Sequence, residues 1–225
     1  MSELNDVASR SSLTGHEFFM KRALELAKNC SVLTSPNPKV GCVIVKNGQI
    51  VGEGFTQPVG GNHAEIEALN DAAGRGESCQ GATVYVTLEP CAHFGRTPPC
   101  ADALIRAGVS QVVVAMEDPN GLVAGKGLEK LRLAGVHVVC GVLAAEAREM
   151  NRGFLSRIER GRPWVRMKVA ASLDGKTALS NGESQWITDF QCVSLTDIPA
   201  IAKALRTADI AFTSVGGKNL DSLAK

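Results

Sequence analysis

Nothing in this 225-residue chain approaches the apolar length of a membrane span, and its polar N-terminus lacks a signal-peptide core. Neither a spanning helix nor a secretory leader is therefore expected. Aromatic residues are scarce at 4%, with a single tyrosine, and the net charge is only +1. A nucleic-acid surface needs a basic stripe and stacking rings, so a polynucleotide is not an expected partner. The seven cysteines are odd in number, which suits a reducing compartment better than a disulfide scaffold and places the chain in the cytoplasm. What remains is 44% apolar residues at balanced charge, the profile of an ordinary globular protein with room for one ample domain and part of a second.

The chemistry concentrates between residues 63 and 100, where His63-Ala64-Glu65 precedes Pro90-Cys91 and then Cys100. One imidazole and two thiolates suit Zn²⁺, which takes N and S ligands tetrahedrally, and three protein ligands leave a fourth position open, as catalytic zinc requires. Glu65 is then the natural proton carrier, since in zinc deaminases an H-x-E glutamate moves a proton from the attacking water to the leaving nitrogen without binding the metal. The usual signature closes with P-C-x-x-C, whereas eight residues separate Cys91 from Cys100. One His and two Cys are also compatible with unrelated core positions, a disulfide, or half of a structural zinc site. A structural Cys₃His site wants a fourth ligand nearby, and His93 is the one candidate. Glu65, Pro90 and the run between the cysteines favour the catalytic metal.

In chain order, residues 1–15 are polar and are expected to form a loose leader, with a helix over 17–29 whose apolar face carries Phe18, Phe19, Ala23, Leu26 and Ala27. Pro36 and Pro38 forbid helix and hold Asn37 extended before a strand at 40–45. Asn47-Gly48 then signals a hairpin to a partner strand at 49–54. A helix from about His63 to Ala73 places His63 and Glu65 about 200° apart around its axis, so one is a ligand and the other a proton carrier. A strand at 82–88 ends at the Pro90-Cys91 corner. Pro98-Pro99 introduces a helix through Ala107 with Cys100 in its first turn, where exposed N–H groups favour a thiolate. A strand at 112–116, a helix at 127–133, a strand at 136–140 and a helix at 144–154 complete the unit. This alternation predicts an α/β domain over 16–159, a mostly parallel sheet with helices on both faces. Cys30 is expected as a buried thiol, Cys42 and Cys140 as core, and His137 as a surface or hydrogen-bond-satisfied histidine.

The run Thr87-Leu88-Glu89-Pro90-Cys91-Ala92-His93-Phe94-Gly95-Arg96-Thr97-Pro98-Pro99-Cys100 resembles the pyrimidine deaminase half of the bifunctional deaminase-reductases of riboflavin biosynthesis (the RibD/RibG family). Pro36 to Val45, Asp118-Pro119-Asn120 and Val123-Ala124-Gly125-Lys126-Gly127 extend the resemblance, which covers roughly residues 17–188. It implies a three-layer cytidine-deaminase-like fold with a five-stranded mixed sheet, and the Cys of the Pro-Pro-Cys ending as third zinc ligand. It also implies hydrolytic deamination of 2,5-diamino-6-(5-phosphoribosylamino)pyrimidin-4(3H)-one, with Asn37, His93, Arg96, Thr97 and Asn120 near the ring or the ribosyl phosphate. A homo-oligomer is expected. Two positions depart from the family: Thr56 stands where it often has His, and Gly121 where it has a second proline. A deaminase of another small base or nucleoside, and a catalytically silent zinc-stabilised module, are the competing readings.

Arg160-Gly161-Arg162-Pro163 reads as a linker. Beyond it, 170–178 and 182–188 resemble the opening of the family's reductase half, which is dihydrofolate-reductase-like and uses NADPH. Lys168, Ser172, Asp174, Gly175, Ser184 and Trp186 match motif positions there. The pattern fades after Thr188, and too few residues follow the linker to complete a nucleotide-binding domain. Residues 164–225 are thus expected to be a partial reductase segment, with cofactor roles conditional on a complete domain.

Overall fold

A computed structural model describes residues 2–30, 34–93, 98–121, 124–165, 180 and 182. The chain divides into two units between Arg160 and Gly161, and the fold described is that of the first. The strand expected at 164–170 lies almost wholly outside the described residues.

The first unit is built on a five-stranded sheet: β1 (Gly41–Lys46), β2 (Gln49–Phe55), β3 (Thr83–Val86), β4 (Gln111–Val114) and β5 (His137–Cys140). Their spatial order is β2-β1-β3-β4-β5. β1 runs antiparallel to both β2 and β3, while β3–β4 and β4–β5 are parallel. The sheet is therefore evenly mixed rather than mostly parallel. The hairpin is responsible: Asn47 and Gly48 both take positive φ, 51° and 75°, which closes β1 directly onto β2 and inserts an antiparallel pair before the alternating units begin.

The helices are α1 (Ser2–Ala27), α2 (Ala64–Gly74), α3 (Cys100–Arg106), α4 (Lys126–Leu133), α5 (Ala144–Met150) and α6 (Arg152–Arg160). The segment expected as a loose leader is helical from Ser2. No proline precedes Pro36, and a helix once started gains a backbone bond with each added residue whether or not a side chain is buried. The helix expected at 144–154 is two helices, broken at Asn151 (φ −107°, ψ 22°).

Register explains how the helices are seated. Cys42 pairs with Gly54 and Ile44 with Gly52, so these four share one face of the sheet. A Cβ on Gly54 would stand 2.4 Å from Ala64 O and Ala68 N, so α2 packs directly on bare backbone there. On the opposite face, a Cβ on Gly41 would lie 1.8 Å from Ala23 O of α1. Tyr85, paired with Val43, meets Phe19 of α1 with ring centroids 5.2 Å apart. Val43, Ile44, Val84, Val86, Val112, Val113 and Val114 are fully buried between the layers. The close approach at Gly54 fixes the start of α2, and with it His63 and Glu65.

Cys30 and Cys42 are buried, and His137 is exposed. Cys140 is exposed rather than core. β5 is an edge strand, and a terminal strand position at the rim is covered on fewer sides than the central valines. Among the described residues, no helix is long and apolar enough to cross a membrane.

Candidate metal centre and substrate cavity

Three elements converge on the site. His63 stands immediately before α2 in an extended conformation (φ −76°, ψ 163°), so its side chain is free of the helical ladder. β3 runs out through Thr87, whose hydroxyl accepts Gly41 N–H at 3.1 Å, into the Glu89-Pro90-Cys91 corner. Pro98 and Pro99 bring the chain back so that Cys100 opens α3. There Cys100 N–H donates to Cys91 Sγ at 3.3 Å and Ala101 N–H to Cys91 O at 3.1 Å.

His63 Nδ1 lies 3.7 Å from Cys91 Sγ and 3.3 Å from Cys100 Sγ, and the three donor atoms all fall within 4.8 Å of one another. Zn–N and Zn–S bonds of ordinary length at a tetrahedral angle separate N and S by about 3.6 Å, so this donor set fits zinc without rearrangement. The electrostatics agree. The Cys100 thiol, with help from His63 and the Cys100 N–H, holds the Cys91 thiol well below its ordinary range, while the same contact and burial push Cys100 up. The contact with Cys91 raises His63 against the opposing effect of burial.

Glu65 is 4% exposed, one residue into α2. Burial, reinforced by charge on Cys91, pushes its carboxyl up to about 7. Together with His63 and Cys91 it lines a cavity of about 480 Å³. Asn37, His93 and Asn120 line the same cavity, so the structure brings these predicted substrate contacts to one place with His63, Cys91 and Glu65. Arg96 and Thr97 lie outside the described residues, as do Lys168, Ser172, Asp174, Gly175, Ser184 and Trp186.

Several residues take roles here that the sequence had not assigned to them. Glu89 is buried, and its carboxylate accepts backbone N–H groups of Asp118 (3.1 Å), Gly125 (2.9 Å), Gly127 (2.8 Å) and Leu128 (3.3 Å). One side chain therefore anchors both the Asp118–Asn120 wall and the start of α4. A charged residue in the otherwise apolar exit of a strand was a usable signal. Asp118 accepts Asn120 N–H at 2.9 Å, and burial raises its carboxyl. Thr56 takes Val40 N–H on its hydroxyl at 3.2 Å, so in this chain it braces β1 at the cavity edge. Asn151 and Arg157 grip the Pro36–Lys39 segment from the distant α5–α6 break and α6, and nothing local in their sequence announces it.

Residues 13–116 match the model of the cytidine and deoxycytidylate deaminase zinc-binding region, and residues 163–209 match that of the RibD C-terminal domain, continuing past Thr188. The chain is 57% identical over 175 residues to riboflavin biosynthesis protein RibD of Escherichia coli K12, covering 78% of this chain and 47% of the relative. It superposes on Acinetobacter baumannii RibD with 54% identity and TM-score 0.72, covering 79% of this chain and 49% of the other. A second similar structure is the Thermotoga maritima diaminohydroxyphosphoribosylaminopyrimidine deaminase/5-amino-6-(5-phosphoribosylamino)uracil reductase, at 47% identity and TM-score 0.75, covering 79% and 51%. The chain spans about half the length of the curated relatives it matches. The cytidine-deaminase-like fold and the zinc-binding character implied by its motifs are both borne out. The convergence of ligand geometry, zinc-binding region and half-length kinship is that of one lineage: the chain belongs to the RibD family of riboflavin biosynthesis proteins.

Proposed function

We propose that this chain hydrolytically deaminates 2,5-diamino-6-(5-phosphoribosylamino)pyrimidin-4(3H)-one to 5-amino-6-(5-phosphoribosylamino)uracil and ammonia. The observation that carries this is the His63–Cys91–Cys100 cluster, of which His63 and Cys91 line the same cavity as the buried Glu65. The T. maritima relative, named for this deaminase activity, supports the substrate class.

His63, Cys91 and Cys100 would hold a zinc ion, which when bound would supply Lewis-acid activation of water. Glu65 takes the proton from the attacking water and returns it to the amino nitrogen as the C–N bond breaks, so water is consumed, ammonia leaves and Glu65 ends in its starting state. Burial suits it to this exchange, because a carboxyl poised near neutrality both accepts and releases a proton. Asn37, His93 and Asn120 orient the ring and ribose. Arg96 and Thr97 stand, by resemblance, near the ribosyl phosphate or ring, and the Arg96 guanidinium is suited to the phosphate.

The same proposal places the deaminase unit at 16–159 and the linker at 160–163, followed by a reductase-like segment at 164–225. NADPH contacts by Lys168, Ser172, Asp174, Gly175, Ser184 and Trp186 belong to a complete reductase domain. It also places the chain in the cytoplasm as a homo-oligomer acting on a small molecule. The balanced charge supports a small-molecule substrate.

The test is ammonia release from zinc-loaded protein given this substrate. Glu65→Gln should retain zinc and lose turnover by about 10²–10⁴-fold, the usual worth of a general acid–base group. Full zinc occupancy with no ammonia from any aminopyrimidine would instead make the chain a zinc-stabilised module. Equal turnover of unphosphorylated bases would make it a deaminase of another class of substrate.

A further inference from the structure

We propose that Arg157 of α6 is a phosphate-recognising residue of the cavity, setting its preference for the phosphorylated over the dephosphorylated ribosylaminopyrimidine. This rests on the deaminase function proposed above.

Among the described residues, the charges lining the cavity are unevenly divided between the two signs. Its described acidic residues are Glu65, Glu89 and Asp118, and among the described lining residues Arg157 is the one Lys or Arg. A phosphate dianion entering this space is disfavoured beside the carboxylates and favoured beside the guanidinium. Arg157 is also held in place. One Nη2 N–H donates to Pro36 O at 2.8 Å, and its guanidinium carbon lies 5.8 Å from the centroid of the Phe154 ring. These contacts keep it against the segment that carries Asn37 without consuming the fork, since a guanidinium has five N–H donors. The side chain is exposed and so reachable by a ligand in the cavity. A planar fork with spare donors, restrained by one carbonyl and one ring, is suited to gripping a phosphate in a bidentate manner.

The geometry separates two roles that Arg157 can play: bracing Pro36 affects every ligand alike, whereas a phosphate contact affects only phosphorylated ones. The test is calorimetric binding of the deaminated product, 5-amino-6-(5-phosphoribosylamino)uracil, and of its dephosphorylated form. The proteins are the zinc-loaded full chain and its R157Q and R157K variants. Gln keeps an N–H for Pro36 O but carries no charge, and Lys keeps the charge without the fork. Wild type should prefer the phosphorylated ligand. R157Q should weaken it about 10- to 100-fold, as expected for a charge-assisted contact, and change the dephosphorylated ligand by less than about twofold. R157K should fall between. Equal weakening of both ligands by R157Q, no change in either, or no phosphate preference in wild type would each overturn the proposal. Because binding is read without turnover, a preference that depends on Arg157 in a protein releasing no ammonia would sink the deaminase function and leave this contact standing.

Discussion

Asn151 pairs with Lys39 as though it were a strand partner: Lys39 N–H donates to Asn151 Oδ1 at 2.8 Å and Asn151 Nδ2 donates to Lys39 O at 2.9 Å. A single side-chain amide at the break between α5 and α6 thus satisfies both backbone groups of the residue that follows Pro38. Asn37 closes a turn, its N–H donating to Thr34 O at 2.8 Å, rather than lying extended as its flanking prolines suggest, and the segment that carries it is pinned from outside the sheet.

Replacing Asn151 by Ala leaves both groups of Lys39 without their protein partner, at a position where Asn151 itself is 4% exposed. Stability should fall by about 1–3 kcal/mol, measured as a lower denaturation midpoint at unchanged m-value. Asn151→Asp keeps only the acceptor and should recover part of the loss. An N151A protein as stable as wild type would show that water replaces the amide at no cost.

Glu89→Ala removes the acceptor for four backbone N–H groups at once. Water can reach some of them, so the expected loss is at least about 3 kcal/mol rather than the full sum. Amide exchange should show Gly127 and Leu128 losing protection ahead of the central strands. Uniform protection across α4 in the variant would contradict the anchoring role.

Cys100→Ser should lower bound zinc and thermal stability together, since a metal joining the Cys91 corner to α3 contributes folding free energy. Cys79→Ser should keep its zinc, because Cys79 is buried in the core and no member of the cluster. Metal analysis of the two variants decides the matter. Zinc retained by the first and lost by the second would reverse the ligand assignment.

Glu65 makes the metal-free protein pH-sensitive in a stated direction. Its folded value, about 7, lies above the ordinary 4.5, so between those values the folded chain binds more protons than the unfolded chain. Stability should therefore be higher near pH 4.5 and decline as pH rises toward 7, by up to about 3 kcal/mol from this group. Glu65→Gln should flatten that component. Denaturant midpoints of the metal-free pair at pH 5 and pH 8 measure it, and parallel pH dependences would rule Glu65 out as the source.

The candidate ligands, the proposed proton carrier and most of the elements that carry them are legible in the amino-acid sequence. Each is written in a short window: His-x-Glu before a helix, Pro-Cys after a strand, Pro-Pro before a helix N-terminus, Asn-Gly between two strands. Steric restriction at proline and positive φ at Asn-Gly act within a few residues, so these signals survive without knowledge of the fold. Tertiary structure alone decided what surrounds them. Lys39 meets Asn151 across 112 residues and Pro36 meets Arg157 across 121, and Glu89 reaches Gly127 across 38. No local rule couples such positions, because the contacts exist only once the sheet order has placed β1, β3 and the C-terminal helices. The same order exposes Cys140, whose strand sequence reads as core but whose place is the sheet's edge.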